Sequence, residues 1–265
     1  MRIGAMIGAD GTKSSISEVI EIGREIEAAG LDHAWLANIF SYDAITALAL
    51  MGQETSRIRL GTAGTPTFPR HPTAIAQQAM TVAASSNNRF TLGIGLSHKV
   101  VIEDMLGLSY ERPIRHMREY LEVLMPLIKG ETVNHDGEEY KVNGFVLDIP
   151  GVESLPVVVA ALGPQMLKLT AELADGTNTW MVGPKTMEEH IIPCFEASGN
   201  YSPEIVAGMP IVLTNNIDHA KESIGKSLAV YGQLPSYRAM LDLSLIHISE
   251  PTRLLSIGGG GVWVE

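Results

Sequence analysis

The chain has 265 residues, a net charge of −11 and an apolar fraction of 45%. This composition is that of one large folded α/β domain, and the acidic balance without a basic run excludes nucleic acid as an expected partner. Because Cys194 is the single cysteine, no internal disulfide can form, which favours a cytoplasmic protein with Cys194 as a small buried side chain. No apolar run reaches the roughly 20 residues of a membrane span.

The first half of the chain repeats one unit, in which a short apolar strand is followed by a turn of small residues and a helix. Strands are predicted at 2–7, 33–37, 57–63 and 89–96, with helices between them at 14–29, 42–51 and 71–84. Serines and an acid open the first helix and Gly30 follows it, which fits helix capping at both ends.

The second half begins with an insertion, a long amphipathic helix at 113–128 and a hairpin at 131–142. Further strands are predicted at 156–161, 177–182 and 204–213, and further helices at 163–174, 185–198 and 217–231. Seven strand–helix units in series favour an α/β fold, a (β/α)8 TIM-type barrel with an insertion after the fourth strand and the eighth unit missing. A doubly wound open sheet is the alternative.

The strand–turn–helix pattern of the sequence ends after residue 242. The stretch SLIHISEPTR resembles a translated sequencing adapter, and four consecutive glycines follow it. We therefore expect two parts, an incomplete barrel at 1–242 and a non-native tail at 243–265, so that the natural chain is truncated here.

The segment RIRLGTAGTPTFPRHP at 57–72 carries the main functional signal. Small residues directly after a strand let backbone amides approach a flat or phosphorylated ligand, and the threonines add hydroxyl partners. This segment therefore predicts the floor of a cofactor site. A local positive patch for an anionic ligand is predicted from Arg112, Arg115, His116 and Arg118.

Other chemistries find little support in the sequence. The eight histidines show no HxH or HExxH spacing, so no metal site is predicted. There is no GxSxG or P-loop, and GIG at 93–95 lacks the third glycine of a dinucleotide fingerprint.

Taken together, the chain resembles the luciferase-like monooxygenase superfamily, in particular the coenzyme F420 (deazaflavin)-dependent oxidoreductases of actinobacteria. The matching stretches are LGTAGTPTFPRHP at 60–72, RFTLGIGLSH at 89–98, residues 112–142, residues 160–184, and YGQLPSYRAMLD at 231–242. The resemblance implies a (β/α)8 barrel, a cofactor at the carboxyl ends of the strands, a small-molecule substrate and a homodimer. It also implies a non-proline cis peptide at Ala63–Gly64 that backs the cofactor ring.

Residues at the predicted strand ends form the expected site. Helix starts bind anions, so the amides of the joint around Gly163 are predicted to hold the cofactor's phosphate. The predicted cofactor-binding residues are Ala37, Asn38, Thr62, Ala63, Gly64, Ser97, Ala161, Leu162, Gly163, Pro164, Gln165, Trp180 and Met181. The predicted substrate pocket contains Phe40, Tyr42 and Trp180, with core packing as the alternative for each ring.

His98 is the predicted catalytic residue, because an imidazole beside the ring can donate or accept a proton. A structural histidine is the alternative. Several deazaflavin enzymes carry a histidine near the end of the second strand, where this chain has Ile39.

The leading hypothesis is a coenzyme F420-dependent oxidoreductase that transfers a hydride between the deazaflavin and a small organic substrate. The alternatives are an FMN-dependent monooxygenase acting with dioxygen, a non-catalytic flavin-binding protein or inactive fragment, and a phosphate-binding barrel isomerase or lyase.

Overall fold

The structure is a computed structural model that describes residues 2–8, 14–211, 213–218, 221, 222, 225, 229, 231 and 237. The helix predicted at 217–231 lies largely outside these residues. The end of the predicted barrel after 237 and the predicted tail at 243–265 lie wholly outside them. No helix in the described ranges has the length and apolarity needed to cross a membrane.

One parallel sheet organises the described chain. Its strands are β1 (Gly4–Ile7), β2 (His33–Leu36), β3 (Arg59–Thr62), β4 (Thr65–Pro66), β5 (Phe90–Gly95), β8 (Val157–Ala160), β9 (Gly176–Trp180) and β10 (Glu204–Gly208), and the antiparallel insertion hairpin consists of β6 (Val133–Asp136) and β7 (Lys141–Phe145). The spatial order is β1-β2-β3-β5-β8-β9-β10, with β4 also paired to β5. Each strand therefore lies beside the next one of the main series, without the reversal of order that a doubly wound sheet requires. This is the barrel arrangement, and the open-sheet alternative is excluded.

The helices lie between the strands in sequence. They are α1 (Ile16–Ala28), α2 (Ala44–Glu54), α3 (Pro72–Ser85), α4 (Pro113–Ile128), α5 (Pro164–Leu173), α6 (Pro184–Thr186) and α7 (Ile192–Ala197). A π-helical turn at Met187–Ile191 joins α6 to α7, so the helix predicted at 185–198 is confirmed as one element. A second π-helical turn, Val100–Met105, was not expected from the sequence.

Capping decides where two of the helices begin. The Ser15 side chain accepts from the Glu18 amide while the Glu18 carboxylate accepts from the Ser15 amide, which confirms the predicted capping by a serine and an acid. This capping box starts α1 at Ile16, two residues after its predicted start. The predicted start of α2 at residue 42 is two residues early, because the Asp43 carboxylate accepts from the Thr46 amide at 2.9 Å and fixes the cap there. The last predicted strand, 204–213, is also too long, since β10 ends at Gly208.

Alternate side chains of each strand face the helices or the barrel interior. On β5, Phe90, Leu92 and Ile94 are fully buried in the apolar core between sheet and helices. Gly93 and Gly95 therefore face the interior near the carboxyl end of the strand. The apolar packing of β5 thus lies between the sheet and the helices. The residues that face the barrel interior are small near the carboxyl end of this strand.

Candidate functional site

The third strand is interrupted by a bulge at Ala63 and Gly64. Gly61 is level with Thr91, whereas Thr65 is level with Ile94, so four residues on one strand span three on its neighbour. The Thr62 hydroxyl donates to the Gly93 carbonyl oxygen at 2.7 Å and accepts from the Gly93 amide at 2.8 Å. The threonine side chain thereby replaces the ladder bonds that the bulge removes.

The cis peptide implied for Ala63–Gly64 is wrong, because every peptide bond of the described residues is trans. The bulge forms instead because Gly64 adopts φ +91°, a conformation that a residue with a Cβ rarely adopts. The Thr62 hydroxyl, fully buried, is engaged by the barrel itself. Its predicted contact with a cofactor stays a prediction.

Three strand ends converge on a surface almost without side chains. A Cβ placed on Gly95 would lie 3.1 Å from the Ala160 Cβ, and one placed on Gly64 would lie 3.9 Å from the same atom. The bulge, β5 and β8 therefore meet at one point on the interior. A planar group can lie flat on backbone at such a point, so we call Gly64, Gly95 and Ala160 the floor.

Trp180 closes one side of this floor. It ends β9 level with Gly208 of β10, and a Cβ on Gly208 would lie 2.9 Å from the indole ring. The ring therefore covers the inner face of β10, and glycine is needed there to accommodate it. The predicted flat wall at Trp180 is thus beside the floor, with the half-buried Met181 next in sequence.

Two predicted cofactor residues have strained backbones. Ser97, which follows β5, has φ +62°, and Met181, which follows β9, has φ +60°. A side chain in the left-handed region costs of order 1–2 kcal/mol, and such residues concentrate where function requires a particular backbone direction. Asn87, Asn88 and Arg112 have positive φ outside the site as well, so this conformation is compatible with binding at the two strand ends and does not by itself mark it.

The joint between β8 and α5 has an open helix start. Gly163 precedes the helix with φ −79°, and a Cβ added there would meet nothing within 4 Å. Within the described part of the chain, the amides of Leu162, Gly163 and Gln165 donate to no backbone or side-chain acceptor. Exposed donors at the amino end of a ten-residue helix fit an anionic group such as a phosphate. Ala161 itself is buried in the core, and Pro164 is the first helical residue.

His98 lies beside a group of tyrosines. Its ring centroid is 6.0 Å from that of Tyr237, which in turn contacts Tyr231 edge-on at 4.8 Å. Burial lowers the pKa of His98, so its imidazole is neutral at pH 7 and can accept a proton. The Tyr110 hydroxyl donates to the Ser97 carbonyl oxygen at 3.3 Å and holds the preceding residue in place.

The residues predicted at the end of the second strand lie at the outer edge of the site. The buried Ala37 extends the ladder by donating its amide to the Ile7 carbonyl oxygen at 3.2 Å, and the Asn38 side-chain oxygen accepts from the Ala44 amide at 3.1 Å. Phe40 is 75% exposed, and the Tyr42 hydroxyl donates to the Ser14 carbonyl oxygen at 3.1 Å. Asn38 therefore has a structural partner, while Phe40 is free to contact a substrate.

The predicted positive patch is wrong. Arg112 and Arg115 form ion pairs with Glu138, Arg115 also pairs with Glu139 at 3.3 Å, and Arg118 pairs with Glu172 at 3.2 Å. The insertion hairpin supplies two of these acids and cancels the charge.

His116, the fourth residue of that predicted patch, is buried and uncharged. Burial lowers its pKa to about 4, against a smaller opposing effect of Glu119. Its Nε2 is 3.0 Å from the Thr67 hydroxyl, and its ring stacks on Phe68 with centroids 3.9 Å apart. Tyr140 of the hairpin lies 3.4 Å from the other ring nitrogen. His116 therefore packs the insertion against the segment that follows the bulge.

Asn178 was missed by reasoning from the sequence. It is level with Ala160 of the floor and two residues before Trp180, so it faces the interior with the indole. Its side-chain oxygen is buried and has no hydrogen-bond partner among the described residues. The alternation in Gly176–Trp180 is the signal that pairs Asn178 with Trp180.

Comparisons with known proteins identify the family and support the fold. The sequence model of the family described as luciferase-like monooxygenase matches residues 1–248. The 5,10-methylenetetrahydromethanopterin reductase of Archaeoglobus fulgidus is 36% identical over 167 residues, which are 61% of this chain and 48% of that protein. A putative coenzyme F420-dependent oxidoreductase of Mycobacterium tuberculosis is 28% identical over 251 residues, which are 87% of this chain and 72% of that protein.

The chain thus matches about half the length of the Archaeoglobus relative. Among solved structures, an F420-dependent secondary alcohol dehydrogenase, in complex with an F420–acetone adduct, superposes with a TM-score of 0.72. It is 19% identical, and the match covers 84% of this chain and 73% of that one. This likeness shows a shared fold.

Proposed function

The chain belongs to the luciferase-like monooxygenase family, and from this we propose that it is a coenzyme F420-dependent oxidoreductase acting on a small organic substrate such as an activated alkene, an imine or an alcohol. The observation that carries the proposal is the convergence of Gly64, Gly95 and Ala160 beside the open helix start at Gly163. A flat surface next to free amide donors suits a planar ring that bears a phosphate.

The residues of the chain would hold and orient the cofactor. The floor would support one face of the ring, Trp180 would border it, and the amides of Leu162, Gly163 and Gln165 would bind the phosphate. When bound, the deazaflavin supplies the ring carbon that exchanges a hydride with the substrate. The protein's own part is positioning and exclusion of water.

We assign His98 as the proton donor or acceptor of the reaction. Its pKa is lowered by burial, so it enters the reaction as a neutral imidazole. An alcohol that loses a hydride must also lose a proton, and His98 would accept it; the reverse transfer would serve reduction. Phe40, with its exposed ring, and Tyr42 would contact the substrate at the mouth of the site.

The family name also supports a second candidate, an FMN-dependent monooxygenase acting with dioxygen. FMN has the same two features, a flat tricyclic ring and a phosphate, so the floor and the helix start suit both cofactors.

Titration of the 265-residue protein with F420 and with FMN, followed by quenching of ligand fluorescence, separates these candidates. We expect F420 to bind more tightly, and Gly163→Glu to weaken it by at least about tenfold because a carboxylate beside the phosphate repels it. Thr81→Glu adds the same charge on the exposed second half of α3, toward the amino ends of the strands, and is the matched control.

Each other outcome overturns the proposal in a different way. Binding of FMN alone would establish the monooxygenase candidate, and binding of neither cofactor would favour a barrel isomerase or lyase. Tight F420 binding without turnover of alkenes, imines or alcohols would indicate a flavin-binding protein or an inactive fragment.

We further propose a cytoplasmic homodimer whose barrel occupies 1–242, with 243–265 as a non-native tail. Light scattering should then give twice the chain mass of 28.6 kDa. A chain that ends at residue 242 should also have a mass in solution of twice its own chain mass, and it should bind F420 with the same affinity.

A further inference from the structure

The stretch YGQLPSYRAMLD carries part of the family resemblance, and the proposed function leaves its two tyrosines, Tyr231 and Tyr237, without a role. Both side chains are half-buried, and Tyr237 packs against the apolar core. The Tyr237 ring lies 6.0 Å from the imidazole of His98, measured between centroids, and Tyr231 meets Tyr237 edge-on at 4.8 Å. The two tyrosines are therefore held beside the predicted catalytic residue.

Tyr231 also contacts the other side of the site. Burial raises the pKa of Tyr231, and the Trp180 indole lies close enough to the tyrosine hydroxyl to oppose part of this shift. His98 follows β5 and Trp180 ends β9, while β8 lies between these two strands. Neighbouring strands are about 4.8 Å apart, so β5 and β9 are separated by about 10 Å. Tyr231 and Tyr237, which we call the tyrosine bridge, thus link two strands that do not pair, across the end of β8.

The bridge covers His98 without placing a charge beside it. Burial is the cause of the lowered pKa of His98. Burial likewise raises the pKa of Tyr237 and of Tyr231, so both phenols are neutral at pH 7. The charged side chains that follow His98 on the π-helical turn, Lys99 and Glu103, pair with each other at 3.5 Å. The cover over the imidazole is therefore a neutral aromatic ring.

We propose that Tyr231 and Tyr237 are positioning residues of the reaction. Tyr237 covers the His98 imidazole and keeps water from it, and Tyr231 holds Tyr237 in place through its contact with Trp180. Exclusion of water lets a proton pass between His98 and the substrate without loss to solvent. This role rests on the proposed function, because it requires that His98 exchanges a proton with the substrate, whereas the shielding of His98 does not depend on it.

The first test follows the His98 imidazole by proton NMR during a pH titration of the protein without cofactor, with His98→Gln identifying its signal. Tyr237→Ala removes the covering ring, so the pKa of His98 should rise toward its ordinary value of 6.5. Tyr237→Phe keeps the ring and should keep the lowered pKa. Tyr201→Ala is the matched control, since Tyr201 is 80% exposed and precedes β10, at the amino ends of the strands.

Tyr231→Ala gives a second variant, so the result does not depend on the folding of one protein. It frees Tyr237 from Trp180, and the pKa of His98 should rise by less than in Tyr237→Ala. During turnover with F420, the limb of the pH profile of kcat that belongs to His98 should move to higher pH in Tyr237→Ala, and Tyr237→Phe should restore it.

The possible outcomes separate the shielding from the proposed function. An unchanged pKa of His98 in folded Tyr237→Ala and Tyr231→Ala would overturn the shielding whether or not F420 binds, and so would an equal rise in Tyr237→Phe and Tyr237→Ala. A raised pKa with an unmoved limb of kcat would overturn the role of the bridge in the reaction. If the protein turns over no substrate with F420, the proposed function and that role fail together, and the NMR titration still decides the shielding.

Discussion

Replacement of Gly93 by alanine tests the bulge on which the site is built. The new Cβ would lie 1.9 Å from the Thr62 carbonyl oxygen and 3.4 Å from the Gly64 amide nitrogen. Both atoms are backbone, so no side chain can rotate away from the added methyl. The strands β3 and β5 must move apart, and the two bonds between Thr62 and Gly93 must lengthen or break.

The expected loss of stability follows from these two effects. Overpacking of a close-packed interior costs about 1–3 kcal/mol, and each lost hydrogen bond about 1 kcal/mol. The sum is about 3–5 kcal/mol, which for a chain of this size lowers Tm by roughly 9–15 °C.

Two further glycines make the experiment a graded series, measured by thermal unfolding with circular dichroism. Gly95→Ala brings its Cβ 3.1 Å from the Ala160 Cβ, a mild contact, and Gly163→Ala meets nothing within 4 Å. The Tm should therefore decrease in the order Gly163→Ala, Gly95→Ala, Gly93→Ala. A Gly93→Ala protein as stable as Gly163→Ala would refute the close approach of Thr62 to Gly93, and with it the bulge.

Three other predictions concern charge, strain and chemistry. The pKa of buried His116 is about 4 in the folded protein and its ordinary value is 6.5, so the unfolded state takes up the proton first and stability falls as pH decreases from 6.5 toward 4. His116→Gln should reduce this fall, measured by urea unfolding at pH 7 and pH 4.5, and leave the part due to His33, whose pKa burial also lowers to about 4. An unchanged fall would mean that His116 does not contribute to it. Ser97→Gly should raise the unfolding free energy by about 1 kcal/mol by relieving the positive φ, and both it and Ser97→Ala should weaken F420 binding if the hydroxyl contacts the cofactor. His98→Gln should lower kcat far more than it changes KM and remove one limb of the pH profile of kcat, whereas a purely structural histidine would leave the shape of that profile intact.

The regular features of the fold could be predicted because they depend on local sequence. The Ser15–Glu18 capping box, the glycine after α1 and the apolar run of β8 each have a pattern that only one local structure satisfies well. The serial repeat also predicts which strands are neighbours. The conformation of the bulge could not be predicted, because it depends on how Thr62 bonds to Gly93, 31 positions away in the sequence.

The predicted positive patch also could not be judged from the sequence, because its net charge depends on distant residues. Arg112 and Arg115 occur close together in the sequence, and a basic group is the simplest interpretation. Their partners Glu138 and Glu139 lie more than twenty positions later and become neighbours only when the hairpin packs on α4. Tertiary contacts of this kind decide net local charge, so the anion site is better sought in the backbone amides at Gly163.

Two predicted cofactor residues, Ser97 and Met181, combine a side chain with a left-handed backbone conformation. The fully buried residues between sheet and helices, such as Leu92 and Val159, account for the packing of the barrel without any unusual backbone. Ser97 and Met181 nevertheless hold left-handed conformations at the carboxyl ends of two different strands, where a glycine would fit without cost. Asn87, Asn88 and Arg112 have the same conformation elsewhere in the chain. Strain alone therefore does not identify a binding residue, and the comparison of Ser97→Gly with Ser97→Ala in F420 binding tests whether a side-chain contact with the cofactor explains it at Ser97.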